Sequence, residues 1–444
     1  MKFDFWSSTE YSGFMAGLIR ELNAQGHDAS QRFHISESSY RKARTAPARL
    51  FLRFRQYIAY PLQLCAVLLS KRIGQSTKVR KCKSAGVSSG AQARDLDSST
   101  SAADSKLSTP KFYHSDKVCI VSTNTFYAPL IATFFHRNVV HLVYDLFPEA
   151  MIHSGKWQEG TLKVKCIRWI TKLTLRRAKL NVFLGQRLKE YVESIHGDCG
   201  PSAIIAVGAD QSLFGRSPIR RSEGAATTIL YCGNFGNMHD SATLFSYFKN
   251  LRHPVEATSA AFSSAEKKTR KTKSHGTEPP HESFAHLENI CWRFHCSGPK
   301  RGALDALWAQ LPHSVQASIQ LGGGLSQEDW IATMETADIA LVTMSFGAET
   351  VVMPSKTYSA MMAGQAILAI APEDSDLVDL IKTADCGWWV NPGDRSTLAD
   401  TLELIATDSA AVLQKRENAY DYAHQNFGQD ALASAWIEAL DNLH

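Results

Sequence analysis

A chain of 444 residues is longer than one hydrophobic core usually grows, so two domains are the starting expectation. Its 44% hydrophobic and 20% charged residues are ordinary for a soluble globular protein, and a net charge of only +5 argues against a dedicated nucleic-acid binder. No apolar run approaches the ~20 residues that a bilayer span needs. The nine cysteines are scattered without CxxC or zinc spacing, which predicts reduced structural thiols in a cytosolic setting. The start, Met-Lys-Phe-Asp-Phe-Trp, lacks the apolar core of a signal peptide.

Lys2 to Trp6 predicts a strand, Ser7 to Gly13 a polar turn, Phe14 to about Gln25 a helix, and Arg32 to Ile35 a second strand. This βαβ opening puts Tyr11, Ser12 and Gly13 at a strand's carboxyl end, where open α/β sheets bind ligands; an ordinary structural turn fits the same residues. Residues 41–72 interleave Arg49, Arg53 and Arg55 with Phe51, Phe54, Tyr57 and Ile58. Such a basic, aromatic amphipathic segment suits a membrane interface, and the plainer alternative is a core-packed helix with a charged back. Residues 75–110 collapse to Ser, Ala, Gly, Lys and Asp, a composition that predicts a disordered insertion.

Val118 to Val121 reads as a buried strand, a helix begins near Tyr127, and Val139 to Tyr144 is the next strand. At its carboxyl end stand Asp145 and Glu149 around Pro148, two carboxylates placed for chemistry, although Asp145 would equally serve as a cap. A Lys-, Arg- and Trp-rich helix from about Lys163 to Arg177, a strand Leu180 to Leu184, a helix from Gln186 and a strand from Ala203 to Val207 complete this half. The cycle restarts at Thr228 to Cys232. There Gly233 and Gly236 flank Asn234 in a loop whose backbone can approach a ligand, and Asp240 can cap a helix from Ala242. No Gly-Lys-Ser/Thr follows, so this is not a Walker loop. Residues 252–283 form a second polar insertion, expected to be mobile. Trp292 to Cys296 resumes the sheet and ends near two cations, Lys300 and Arg301. Strands at Ala317 to Leu321, Ala337 to Val342, Ile367 to Ile370 and Gly387 to Val390, a helix capped by Ser375 and a last helix from Asp430 finish the chain.

Pro354 and Ser355 announce a helix that Gly364 closes in a left-handed turn, with Ser355 the expected N-cap. Lys356 opposes the helix dipole, so an anion held beside it would give that cation a purpose.

The segments Tyr144 to Glu149, Tyr231 to Asp240, Pro354 to Tyr358, Ala363 to Ser375, Cys386 to Trp388 and Pro392 to Asp394, in this order, resemble GT-B glycosyltransferases of retaining family 4, in the branch that builds bacterial surface polysaccharides. The resemblance holds from about Val118 onward, outside the two insertions. It implies an α/β fold of two Rossmann-like, doubly wound domains facing a cleft. The first would be an acceptor-side domain over residues 1–212 and the second a donor domain over 225–424, with 425–444 a helix packing back toward the first. By position, it implies that Gly233, Asn234 and Gly236 line the phosphates and that Lys300, Arg301 and Lys356 offset the leaving diphosphate. Ser355, Tyr358 and Ser359 would lie near the nucleoside and phosphates and Glu349 near the sugar. Gly13 would close over the donor, and Asp145 and Glu149 would face the acceptor. A nucleotide sugar, UDP-linked rather than GDP-linked, would be the co-substrate, with no metal and no other cofactor. A lipid-linked glycan would be the acceptor, and the protein would sit peripherally on the cytoplasmic face of the inner membrane through residues 41–72, with no nucleic-acid partner. Two departures stand out. Relatives carry a Glu pair where this chain has Val351 and Ser359, and a His where it has Tyr144. A nucleotide-sugar 2-epimerase shares the fold, and a catalytically degenerate membrane-bound assembly partner would account for the missing pair.

Overall fold

The computed structural model describes residues 1–9, 14–35, 46–68, 117–123, 125–214, 218, 225–251 and 289–442. Both expected insertions, 75–110 and 252–283, lie outside the described residues, as do Tyr11, Ser12 and Gly13.

The strands form two parallel sheets of six. The first comprises β1 (Lys2–Thr9), β2 (Asp28–Ile35), β3 (Lys117–Ser122), β4 (Val139–Val143), β5 (Leu180–Phe183) and β6 (Ser202–Ile204), in the order β2-β1-β3-β4-β5-β6. The second comprises β7 (Thr227–Asn234), β8 (Ile290–Ser297), β9 (Ile319–Gly322), β10 (Ile339–Thr343), β11 (Ala366–Ile370) and β12 (Gly387–Val390), in the order β12-β11-β10-β7-β8-β9. Every residue of β4, β5, β10 and β11 is buried, the consequence of helices on both faces of a parallel sheet. Strand order reverses between β1 and β3 and between β7 and β10, and these switch points open crevices at the carboxyl ends of the strands.

Local chemistry sets the helix ends. Asp240 accepts from the Thr243 N–H at 3.1 Å beside helix Ala242–Asn250, and Ser375 accepts from Val378 at 3.2 Å at the start of Asp376–Ala384. Gly364 leaves helix Lys356–Met362 at φ +74°, as its left-handed role requires. Ser355 departs from expectation: it holds the N-cap position, yet its hydroxyl accepts nothing from the helix, because Thr357 N–H turns to Pro354 O at 3.0 Å instead.

Helices Arg301–Trp308, Gln327–Thr336, Arg395–Thr407 and Ser409–Asn426 were not expected from periodicity. Tertiary chemistry orders the last of them. Its Arg416 is buried and meets Asp338 at 3.0 Å, while its Nε donates to Gly364 O at 3.0 Å. Asp338 in turn accepts from the Thr228 N–H at 2.8 Å, so one buried ion pair ties β7 and β10 to the turn after helix Lys356–Met362.

Helix Gln429–Asp441 lies against helix Phe14–Ala24 of the first half. Trp436 meets Phe5 edge to face with ring centroids 5.8 Å apart, and Gly17 sits so close to Gln429 that a Cβ there would fall 1.9 Å from its amide nitrogen. One apolar core therefore runs from Phe3 and Phe5 through Leu432 and Trp436 to Val342 and Met361.

The basic, aromatic segment is helical from Ala46 to Phe54, takes a π-turn over Arg55–Ala59 and continues helical to residue 68. It is divided by face. Leu52, Tyr60 and Leu64 are buried, whereas Phe51, Phe54 and Leu62 are exposed. Residues 41–45 and 69–72 of that segment lie outside the described residues.

Candidate functional site

Between the two sheets opens a cleft of about 720 Å³. The first half contributes Tyr144, Asp145, Phe147, Met151, Ser154 and Lys156, all from the segment after β4. The second half contributes Gly233, Asn234 and Gly236 after β7, Thr343 and Met344 after β10, and Pro354, Ser355 and Lys356 at the helix start. The loops are locked to one another. Ser345 N–H donates to Met238 O at 2.8 Å, Phe235 N–H to Ser297 O at 2.6 Å, and Lys300 N–H to Phe235 O at 3.1 Å.

The glycines explain how close these loops come. Gly233 takes φ +127°, open to glycine alone. Gly298, at φ +108°, leaves no room for a side chain: a Cβ would fall 2.3 Å from Asn234 Oδ1 and 2.9 Å from Phe235 O.

One corner of the cleft is basic. Lys356 folds its side chain over the Tyr231 ring, with Nζ 3.7 Å from the centroid. The residue is half-buried as a whole, but its Nζ is fully enclosed and has no hydrogen-bond partner. Burial lowers its pKa to about 7, with the Cys232 and Cys296 thiols opposing the shift. Burial, with Lys356 and Lys300 adding to it, also pulls the His239 pKa down to about 3, so its ring is neutral; Tyr231 OH lies 3.2 Å from its Nδ1. Lys300 is lowered too, mainly by burial against the opposing pull of Asp240, and its Nζ donates to His239 O. Lys356, whose Nζ lacks a partner, and Lys300, with Asp240 as its counter-charge, thus flank a neutral His239 at this corner.

Across the cleft, Asp145 has its pKa raised by burial alone. Its backbone N–H and that of Tyr144 both donate to Thr123 Oγ1, at 3.0 and 2.9 Å, which fixes the turn after β4. Among the described residues no group of three or more His, Cys, Asp or Glu side chains is placed to hold a metal ion.

Several residues named from sequence stand elsewhere. Glu149 is 1% exposed and bound by Arg168 at 2.7 Å, an ion pair behind the cleft wall rather than a group facing it. Arg301 turns away, its guanidinium held by Asp305 at 2.8 Å, by Cys296 O at 3.1 Å and by Gly322 O. Tyr358 is a core residue, edge to face on Phe427 at 4.7 Å, and burial raises its pKa. Ser359 faces a separate cavity of about 60 Å³ behind the helix, which it shares with Cys232, Trp330, Lys356 and Gln365. Glu349 is half-buried and lies outside the cleft lining, with Oε2 enclosed and unpartnered. Val351 is fully buried in an apolar cluster with Val143, Leu146 and Phe183, an environment that would punish a carboxylate there. Gly13 lies outside the described residues. Sequence reasoning gave no role to His239, Tyr231 or Lys156. His239 stood inside the glycine loop, but its basic neighbours come from positions 61 and 117 residues further along.

Two six-stranded parallel sheets with flanking helices, facing a cleft at their carboxyl ends, define the GT-B glycosyltransferase fold. No protein-family model matches the chain. It is 21% identical over 278 residues to the probable glycosyltransferase WbjE of Pseudomonas aeruginosa, a match that takes in 60% of this chain and 59% of that protein, under two thirds of its length. Among solved structures it is similar to Anabaena Alr3699/HepE in complex with UDP, with TM-score 0.60 and 13% identity over the whole of both chains. It is also similar to WaaG, a glycosyltransferase involved in lipopolysaccharide biosynthesis, with TM-score 0.55 and 13% identity over 98% of each chain.

Proposed function

We propose that this protein is a glycosyltransferase that moves a sugar from a nucleoside-diphosphate sugar, UDP-linked rather than GDP-linked, to a lipid-linked or polysaccharide acceptor. The observation that carries this reading is the enclosed, unpartnered Lys356 Nζ at the basic corner beside the Gly233–Gly236 loop. A diphosphate is the ligand that would give Lys356 its missing counter-charge, draw on Lys300 beside it and accept from the loop's backbone N–H groups. The complexes of Alr3699/HepE with UDP and with UDP-glucose, and the name of the WbjE relative, support a nucleotide-sugar donor.

In this reading the half built on β7–β12 holds the donor and the half built on β1–β6 presents the acceptor. As the bond from the anomeric carbon to the leaving phosphate oxygen breaks, Lys356 stabilises the charge that develops on the diphosphate. The acceptor oxygen bonds to the same face of the anomeric carbon, giving retention, and its proton passes to the departing phosphate oxygen. Asp145 accepts a hydrogen bond from the acceptor and holds it in place. Lysine supplies the charge compensation, so the step runs without a metal ion. Glu149, Arg301, Tyr358 and Ser359 support the scaffold and do not touch substrate. The exposed apolar side of residues 46–68, flanked by Arg49 and Arg53, supports a peripheral position on the cytoplasmic membrane surface beside a lipid-linked acceptor. No helix among the described residues is long and apolar enough to cross a membrane.

The test is incubation of the purified protein with a panel of nucleotide sugars, with and without a membrane-lipid extract. Nucleoside diphosphate released only with the extract supports the transferase. Epimerised donor without release points to a 2-epimerase. No donor binding leaves a non-catalytic assembly partner, the reading that the apolar setting of Val351 favours.

A further inference from the structure

Residues 46–68 and helices Ala128–Phe135 and Leu162–Arg177 pack against strands of the first sheet, the second helix touching both of the others. Tyr60 and Leu64 of the first share a buried cluster with Ala128 and Ala132 of the second. Arg177 of the third donates through Nε to Thr133 Oγ1 at 3.0 Å and stacks on Phe134, 4.4 Å from its centroid. The outward sides of these helices carry large apolar groups in water. Phe51 is 60% exposed, Phe134 53%, Trp169 63% and Leu162 78%.

The charge pattern on this face is one-sided. Residues 46–68, 128–135 and 162–177 contain not one Asp or Glu. On the third helix Val164, Ile167, Thr171 and Thr174 are buried, so the opposite side carries Leu162, Lys165, Trp169 and Arg176 at helical spacing, all exposed. A solvated helix back normally mixes both signs, and a core-packing helix would not leave Trp169 and Leu162 bare. Exposed Glu159, just before the third helix, pairs with Arg168 and is answered there; the apolar side chains lie otherwise among Lys165, Arg176 and Arg177, which matches a surface that is apolar inside and anionic at its boundary.

We propose that helix Leu162–Arg177 forms, with residues 46–62, one continuous face that lies on an anionic lipid bilayer, with Trp169 and Leu162 entering the interface and Lys165 and Arg176 on the headgroup phosphates. The inference rests on the membrane reading above and extends it from one segment to a face of the domain. It also links this face to the cleft along the chain: Leu162 stands six residues beyond Lys156, which lines the cleft. A face on the bilayer there would keep the lipid anchor of an acceptor in the membrane while its glycan stays in the water on the cleft side.

The test is co-sedimentation of the full chain with vesicles of phosphatidylcholine alone and of phosphatidylcholine with one third phosphatidylglycerol. Three proteins are compared: wild type, L162E/W169E and F51E/F54E. The substituted side chains are all exposed, and circular dichroism with a donor-binding measurement confirms that each variant is folded. Wild type is expected to bind the anionic vesicles and to bind neutral ones at least about tenfold more weakly, given several basic residues each contributing about fivefold. Each double variant is expected to lose about tenfold on the anionic vesicles. If F51E/F54E loses binding while L162E/W169E binds like wild type, the continuous face is refuted and the segment reading stands. If neither variant loses binding, or wild type ignores both vesicles, the membrane reading falls as well. Equal binding to neutral and anionic vesicles would refute the role of Lys165 and Arg176.

Discussion

Replacing Lys356 with Met separates what this side chain does for the fold from what it does for a ligand. In the unliganded protein its ammonium is enclosed over Tyr231, and its pKa is lowered from 10.5 to about 7. The folded state therefore holds fewer protons than the unfolded chain between those two values, so stability rises with pH across that window. A displacement of that size places the cost of burying the amine at pH 7 on the order of 4 kcal/mol. Contact with the Tyr231 face returns about 1–2 kcal/mol. Lys356→Met, close in volume and free of charge, should then stabilise the unliganded protein by about 2–3 kcal/mol, read as a rise of several degrees in Tm. The same change should weaken a nucleoside diphosphate by about 10²-fold, because a charge-assisted contact to phosphate is lost. In the wild type, donor affinity should be flat below pH 7 and fall with pH above it, up to about tenfold per unit, since the bound state must take up a proton. Differential scanning fluorimetry and titration calorimetry with UDP across pH 6 to 9 read both effects. A variant that melts lower and binds UDP as tightly as wild type would refute the reasoning.

Asp145→Asn should cut turnover by about 10²-fold while leaving UDP affinity unchanged, as steady-state kinetics with separate donor titration would show. Because burial raises the Asp145 pKa, stability falls as pH rises from the ordinary carboxylate value up to the raised one and the loss persists above it, so the Asn variant should also melt higher than wild type at pH 7. Glu149→Gln should destabilise by about 1–3 kcal/mol in urea melts, since Arg168 keeps only Glu159, yet turnover per folded molecule should persist; a large loss of turnover would return Glu149 to the catalytic cleft. Gly298→Ala should reduce donor affinity more than it reduces stability, because the added Cβ meets Asn234 and Phe235, and unchanged UDP binding would show that this loop is not part of the site.

Much of this fold was legible because parallel strands buried on both faces leave a simple mark. Ile367 to Ile370 and Thr228 to Cys232 are apolar runs bounded by glycine or polar turns, and they are strands β11 and β7. Caps such as Asp240 and Ser375 are local chemistry and could be read locally. Side-chain direction is not local, and there the sequence misled. A carboxylate just past a strand end reads the same whether it meets a substrate or an arginine on the next helix; Asp145 faces the cleft and Glu149, four residues on, meets Arg168. Arg301 reads as a cation at a strand's carboxyl end until the Gly322 carbonyl and Asp305 claim it. Helix Ser409–Asn426 escaped because its ordering contact is Arg416 with Asp338, across 78 residues of chain.

The C-terminal helix has a bearing on how the protein comes into being. Phe5, Leu18 and Leu22 are covered by residues from the last turns of the chain, Trp436 and Leu440 among them. During synthesis the first half emerges long before those residues exist, and its own sheet cannot bury that surface alone. The nascent first half must therefore wait, with its apolar flank open, until residues 429–441 have been made. Loss of the 17 residues 428–444 would strike the half built on β1–β6, leaving the half built on β7–β12 folded and the first half prone to self-association.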